Sequence, residues 1–193
     1  MKSKFIEEEI KYTGNQLAPH WIYKNFNILG DAIVSFTGEM DVKLSEMVDI
    51  EDVLSNSPIY SKRMLSFIIE HFEMLLCEAV TRQRLMICII IEELQKVLKN
   101  RVKIVRNGDD IYVEDKKLSV SIATKSSTSS LIHIGLNIDS QGAPVKACGL
   151  NNDLGLNESG EINDIKNFAI NVMKKYVDEN AEIRDAVCKV RGV

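Results

Sequence analysis

Residues 102–123 read VKIVRNGDDIYVEDKKLSVSIA, and this stretch decides the fold class. Short runs rich in β-branched residues are separated by the turn dipeptide Asn107-Gly108 and by the polar turn Glu114-Asp115-Lys116. The last run alternates strictly between apolar and small polar residues, as expected of a strand with one buried face. The pattern predicts three strands, at residues 102–105, 111–113 and 118–123.

Further strands are expected on both sides of this stretch. Residues 131–138 form another apolar, β-branched run, and the short serine-rich patch at 126–130 is typical of a hairpin loop. Upstream, residues 21–42 read as extended chain around the run at 32–37, with Gly30 and Gly38 at its two ends. Residues 43–58 look like a connection with a short apolar piece.

Three segments carry the spacing of amphipathic helices. Apolar residues recur every three or four positions over residues 64–76, with Ser61 as a plausible N-cap, so we predict a helix there. Residues 85–91 are apolar on all sides and begin a buried helix that continues to residue 98. A last helix is predicted over 162–177, with a turn or two more at 181–190.

The order of the elements then indicates the architecture. Strands grouped together and helices grouped apart predict an α+β fold, in which helices lie on one face of a largely antiparallel sheet. A chain of 193 residues fits one domain, residues 1–193.

Composition excludes several functions. The chain has 24 basic and 28 acidic residues, which argues against a nucleic-acid binder or an anionic membrane surface as the main partner. The longest apolar run, at 85–91, is far shorter than the roughly 20 residues of a bilayer span, and no secretory signal is recognisable. Four cysteines without a Cys-x-x-Cys pair predict free thiols in the cytoplasm, and the scattered histidines predict no zinc site.

Two residues are candidates for chemistry on their local context. Lys117 stands at the head of a strand and could stabilise an anionic or carbonyl group, although a solvated hairpin lysine is the commoner case. Cys148 lies in a loop before Gly149 and could act as a nucleophile, although most free cysteines are small buried residues. The common phosphate-binding loops are absent from the sequence, as are serine-hydrolase and zinc-protease motifs.

The order of these pieces resembles a known superfamily. Residues 108–118, Gly-Asp-Asp-Ile-Tyr-Val-Glu-Asp-Lys-Lys-Leu, follow the helix at 84–98 and resemble the segment around the key lysine of biotin protein ligases. Residues 132–138, Ile-His-Ile-Gly-Leu-Asn-Ile, resemble a glycine-rich strand of the same enzymes. The segments 117–122, 132–138 and Ala147-Cys148-Gly149 also resemble, in order and spacing, the Lys and Cys segments of lipoate-type octanoyltransferases. The whole chain is similar to a family of mainly archaeal proteins with this fold.

The resemblance implies a site and a reaction. Lys117 and Cys148 would be the catalytic pair of an acyltransferase, which moves an octanoyl-, lipoyl- or biotinyl-type group from an acyl donor to an amine on a carrier protein. Backbone N–H groups near Gly38 or Gly149 could stabilise the oxyanion. The resemblance also implies nine substrate-binding residues: Gly30, Ser35, Thr37, Gly38, Ser119, His133, Gly135, Asn137 and Gly149.

Two alternatives stay open at this point. One is an adenylate-forming ligase that needs ATP and Mg²⁺, although the glycine- and arginine-rich loop of such ligases is missing here. The other is a binding module for a small carboxylate or a partner chain, with no catalysis. A homodimer is possible, because the apolar surplus at 85–91 fits either a deep core or a dimer face.

Overall fold

The strands of the protein are mostly antiparallel, and the helices interrupt them at three points along the chain. The computed structural model describes residues 1–143, 145–157 and 164–192. In chain order the elements are β1 (Lys2–Phe5), α1 (Trp21–Phe26), β2 (Ala32–Val42), α2 (Ile50–Leu54), β3 (Ile59–Phe72), α3 (Leu76–Val97), β4 (Ile104–Asn107), β5 (Asp110–Val113), β6 (Lys116–Lys117), β7 (Ser119–Lys125), β8 (Ser129–Asp139) and α4 (Ile165–Cys188).

Five of these strands form the main sheet, in the order β1-β2-β3-β8-β7. Only β1 runs parallel to its neighbour in that sheet; β2, β3, β8 and β7 pair antiparallel. The strands β4, β5 and β6 form a second, antiparallel sheet of three. The prediction of an α+β fold with a largely antiparallel sheet is confirmed.

The main sheet is covered on both faces by different parts of the chain. The two long helices, α3 and α4, pack against one face, where Leu65, Phe67 and Ile134 enter the larger apolar cluster. The opposite face holds a second cluster, to which β2 and β3 contribute Phe36 and Met64. The N-terminal segment and the short helix α1 add Ile6, Tyr12 and Ile22 to this second cluster. Among the helices of the described residues, none combines the length and apolar character that a membrane crossing requires.

The predicted helix at residues 64–76 is wrong, because most of this segment is the strand β3. It is the middle strand of the main sheet, and residues 64–71 are all buried. A strand buried on both faces is apolar at nearly every position, so it also satisfies a three-to-four spacing by chance. Ser61 caps no helix; its hydroxyl donates to the carbonyl oxygen of Arg63 at 3.2 Å.

Other helix boundaries also differ from the sequence prediction, and α3 begins at Leu76 instead of residue 85. Residues 21–42 are not all extended, since the first of them form α1 before β2 begins at Ala32. The last helix is longer than predicted and runs without a break from Ile165 to Cys188. Its predicted first residues, 162 and 163, lie outside the described residues.

Candidate functional site

A cavity of about 550 Å³ lies on the sheet face opposite α3 and α4. Its floor is formed by β7 and β8, and one wall by the N-terminal segment around Tyr12. Residues 46–60 form its rim together with Ala143, Val145 and Ala147. The side chains that matter to its chemistry are Tyr12, Glu46, Asp49, Asp52, Met64, Asp109, Asp110, Lys117, Ser119, Val120, Ser121, His133 and Asn137.

Lys117 reaches this cavity because two segments, residues 146–148 and β5, hold its backbone. Its N–H donates to the carbonyl oxygen of Lys146 at 2.9 Å, and its own carbonyl oxygen accepts from the N–H of Cys148 at 3.0 Å. On its other side it pairs with Tyr112 in β5. The lysine thus occupies the junction of the two sheets, where the chain leaves β6 for β7. Backbone pairing on both sides fixes the position of Lys117 relative to the cavity.

The ammonium group of Lys117 pairs with one carboxylate, and further carboxylates line the same cavity. Its Nζ lies 2.8 Å from Asp110 Oδ2, in an ion pair in which each side chain is less than a third exposed. Glu46, Asp49, Asp52 and Asp109 also line the cavity, and Lys117 is the one Lys or Arg among the described lining residues. Burial, and next the nearby charge of Asp49, raises the pKa of Asp52 above its ordinary value. The described lining at the mouth of the cavity therefore carries a net negative charge, and the ammonium group of Lys117 is its one cation.

A set of hydrogen bonds fixes the β4–β5 turn against β7. Asp109 Oδ2 accepts from Gln83 Nε2 and from Ser121 Oγ, at 2.9 Å each. Ser119 Oγ accepts from the N–H of Ile111 at 2.8 Å. These contacts tie the small sheet to α3 and to the main sheet, and so hold Asp110 and Lys117 at the cavity. The two aspartates, which directly follow Asn107-Gly108 in the sequence, are thus part of the site.

The inner end of the cavity is formed by an aromatic stack. The rings of Tyr12 and His133 lie 3.8 Å apart and only 8° from parallel. Burial lowers the pKa of His133 to about 3, so its ring is neutral at physiological pH. One of its ring nitrogens, Nε2, lies 3.2 Å from Ser66 Oγ. The inner wall is therefore polar but uncharged.

The backbone N–H of Cys148 is hydrogen-bonded to the carbonyl oxygen of Lys117, but the Cys148 thiol faces away from the cavity. The residue is 1% exposed and belongs to the apolar cluster under α3 and α4. Its Sγ lies 3.8 and 3.9 Å from the carbonyl oxygens of Lys116 and Lys117. Burial, and next the charge of Asp153, raises the pKa of the thiol to about 11. These conditions keep the sulfur protonated and away from the described lining of the cavity.

The burial of Cys148 gives a direct chemical prediction. With iodoacetamide at pH 7.5, the exposed Cys77 and Cys188 are expected to be alkylated in the folded protein, and Cys148 is expected to stay unmodified. A thiol with a pKa near 11 is ionised to less than about a thousandth at that pH. Peptide mass spectrometry checks this, with the urea-unfolded protein as the control in which all four cysteines react. Alkylation of Cys148 as fast as Cys77 would contradict the inward orientation of the thiol.

The structure brings together only some of the residues that the resemblance implies. Lys117, Ser119, His133 and Asn137 line the cavity. Gly135 lies on the same face beneath Met64, whose Sδ would clash with an added Cβ.

The other implied residues lie outside the described lining. Ser35 and Thr37 pair with Phe67 and Leu65, so they face α3 and α4. The N–H of Gly149 donates to Asp153 Oδ2 at 2.9 Å. Gly30 lies at a bend before β2 with a φ of 88°, and an added Cβ at Gly38 would clash with the carbonyl oxygen of Ile10.

Several cavity residues carry no signal in the sequence pattern. Tyr12 belongs to an irregular N-terminal segment, and Asp52 to a short connecting helix. Met64 was placed on a predicted helix and is a strand residue of the cavity wall. Because these residues come from distant segments, only the folded chain brings them to one surface.

The charge of the lining tests whether ATP fits this cavity. Five carboxylates and a single ammonium line it within the described part of the chain, and no arginine does. Triphosphates are ordinarily held by arginine, lysine or free backbone N–H groups, so this surface does not fit the phosphates of ATP. Nor does any group of three or more His, Cys, Asp or Glu side chains in the described residues take up a metal-binding arrangement.

Comparison with known proteins places the chain in a family. The model of a family described as "Domain of unknown function (DUF366)" matches residues 1–191. The uncharacterized protein MJ0805 of Methanocaldococcus jannaschii is 38% identical in an alignment of 186 residues, which covers 93% of this chain and 81% of that protein. A solved structure of a protein of unknown function from Pyrococcus horikoshi superposes with a TM-score of 0.86 at 37% identity, over 99% of both chains.

More distant structures share the fold alone. A biotin protein ligase mutant from Aquifex aeolicus in complex with biotin superposes with a TM-score of 0.59 at 14% identity, over 96% of this chain and 72% of that one. The structure of a lipoate-protein ligase A bound with ATP superposes with a TM-score of 0.58 at 14% identity, over 92% of this chain and 86% of that one. The resemblance in fold to biotin and lipoate protein ligases is therefore confirmed.

Proposed function

From the premise that this chain belongs to the DUF366 family and has the fold of biotin and lipoate protein ligases, we propose that it transfers an acyl group to an amine. The cavity holds the acyl chain, with its carbonyl carbon beside Lys117. The acceptor is a lysine side chain on a carrier protein of the lipoyl or biotinyl type. The donor is an already activated acyl compound such as a thioester, because the carboxylate-rich lining does not suit the phosphates of ATP.

The observation that carries this proposal is the position of Lys117 among the carboxylates of the mouth. An ammonium group at the cavity stabilises negative charge that develops on a carbonyl oxygen during nucleophilic attack. The surrounding carboxylates Asp49, Asp52 and Glu46 attract a second cation, the amine of the acceptor. The site thus offers one positive group to the acyl donor and a negative surface to the acceptor.

The proposed step is the aminolysis of a thioester. The nitrogen lone pair of the acceptor amine forms a bond to the acyl carbon, and the carbon–sulfur bond of the thioester breaks. The acceptor ammonium gives up two protons in becoming the amide, and one of them ends on the departing thiolate. Asp52, whose pKa is raised, is the carboxylate that takes the other proton and passes it to solvent.

A route through Cys148 is a second candidate. The observation that favours it is the hydrogen bond from the N–H of Cys148 to the carbonyl oxygen of Lys117, which makes the two residues neighbours. In this route the thiolate of Cys148 would take the acyl group first and then pass it to the amine. It requires the sulfur to leave the apolar cluster and lose its proton, against a pKa of about 11.

Intact-mass spectrometry distinguishes these possibilities. The protein is incubated with a lipoyl-type carrier domain and octanoyl-, lipoyl- or biotinyl-thioesters, and separately with the free acids and Mg-ATP. Acylated carrier from the thioester alone, in both wild type and Cys148→Ala, is the expected result. Loss of product in Cys148→Ala, together with an acyl adduct on the wild-type chain, would select the cysteine route. Product that needs ATP, or binding without any product, would overturn the proposal in favour of a ligase or a binding module.

A further inference from the structure

Three polar groups in the cavity have no hydrogen-bond partner within the described residues. They are the hydroxyl of Tyr12, the second ring nitrogen of His133 and the side-chain amide of Asn137. The three residues are only 3%, 2% and 7% exposed, and all line the cavity. Among the described residues, Ser35 Oγ is the side-chain polar atom that is both fully buried and without a hydrogen-bond partner. The three cavity groups are unpaired but not in that class, so they are accessible from the cavity.

These groups mark two ends of an elongated space. His133 and Asn137 lie on the same face of β8, four residues and therefore about 13 Å apart. Asn137 is next to the reactive end, because its N–H donates to the carbonyl oxygen of Leu118, the neighbour of Lys117. Between the two ends lie the side chains of Met64 and Val120, which face Gly135. The cavity is thus polar at the lysine end, apolar in the middle and polar again at Tyr12 and His133.

The far end recognises hydrogen bonds rather than charge. The neutral ring of His133, held against Tyr12, offers no positive charge, and the Tyr12 hydroxyl stays protonated because burial raises its pKa. A hydroxyl can donate and accept, and an imidazole nitrogen can do one or the other depending on its tautomer. A ligand group that both donates and accepts would satisfy the pair.

On the basis of the proposed function, we propose that the acyl group ends in an uncharged hydrogen-bonding group, such as a carboxamide or a lactam, bound by Tyr12 and His133. A plain hydrocarbon chain would cover both groups and leave them unpaired. Leaving a buried donor or acceptor without a partner is costly, so a chain ending in a methyl group binds less well than one ending in an amide. Tyr12 and His133 therefore determine specificity, while Lys117 acts on the reacting carbon.

Two matched thioesters test this inference. N-acetylcysteamine thioesters of nonanoic acid and of suberic acid monoamide differ chiefly at the far end of the chain. Each is titrated into the protein by calorimetry without an acceptor. The monoamide is expected to bind about tenfold more tightly, and Tyr12→Phe is expected to reduce that preference to threefold or less. His133→Phe, which keeps an aromatic ring in the stack, is a second variant with the same expectation, and Tyr23→Phe on exposed α1 is the control.

The outcomes separate this inference from the proposed function. Equal affinity for the two thioesters, or tighter binding of the nonanoyl compound, would overturn the inference while transfer to the carrier still supports acyl transfer. An amide preference that survives unchanged in both Tyr12→Phe and His133→Phe would also overturn it. Binding of neither compound, together with no transfer to the carrier, would overturn both.

Discussion

Lys117→Met is expected to lower the rate of acyl transfer by about a hundredfold or more, with little loss of stability. The variant keeps the length and apolar stem of the side chain but removes the charge that faces the acyl carbonyl. Loss of one charged or hydrogen-bonding group that stabilises an oxyanion typically costs about 10²–10³ in rate. The measurement is the initial rate of carrier acylation from a thioester, with the melting temperature measured on the same preparation.

Lys116, the residue directly before Lys117, offers a matched control. Its Nζ pairs with Asp153 Oδ1 at 2.9 Å, and it is absent from the described lining of the cavity. Lys116→Met is therefore expected to change the rate less than about threefold, since surface ion pairs contribute little. Lys117→Arg should retain part of the activity, because it keeps the positive charge but changes its geometry. Equal losses in Lys116→Met and Lys117→Met would mean that Lys117 does not act on the acyl group.

Phe67→Ala is expected to lower the free energy of unfolding by about 3–5 kcal/mol. Phe67 is fully buried on β3, the middle strand of the main sheet, where it packs in the cluster under α3 and α4. Its removal loses the transfer free energy of a large ring and leaves a cavity that rigid strands on both sides fill poorly. Urea denaturation followed by circular dichroism gives this free energy.

The position of Phe67 also makes this variant informative about the site. The ring lies on the sheet face opposite the acyl cavity, so the affinity of the folded protein for thioesters should stay within about twofold of the wild type. Tyr23→Ala, at a 42% exposed aromatic residue on α1, is the control and should cost less than about 1 kcal/mol. A loss below about 1 kcal/mol in Phe67→Ala would show that β3 is not the well-packed centre of the sheet.

The negative mouth of the cavity bears on how the two proposed substrates would meet. In the proposed reaction, an acceptor lysine would bring its own positive charge to Glu46, Asp49 and Asp52, and this attraction would weaken as salt screens it. The proposed acyl chain, in contrast, would contact uncharged groups and apolar side chains such as Met64 and Val120. We therefore expect recognition of the acceptor to depend on charge, and recognition of the acyl group to depend on shape and hydrogen bonds.

Much of the fold could be predicted from local pattern. Residues 102–138 form strands that are separated by turns. The alternation of apolar and polar residues and the turn residues of this region can each be recognised from the local sequence. The buried helix α3 and the amphipathic helix α4 were predictable for the same reason, since their periodicity is long and regular. The strand β3 was not predictable, because burial on both faces removes the alternation that identifies a strand.

The sequence by itself determined the α+β class, most of the strands and the position of Lys117 two residues before β7, since each follows from neighbouring residues. The tertiary structure alone decided which side chains share the cavity. Tyr12, Asp52 and Asn137 are distant in the chain and meet only because β2, β3 and β8 pair side by side. It also decided the orientation of Cys148. In an extended segment each side chain lies on one of two faces, and only the pairing of Ala147 with Lys117 puts the Cys148 side chain on the apolar face.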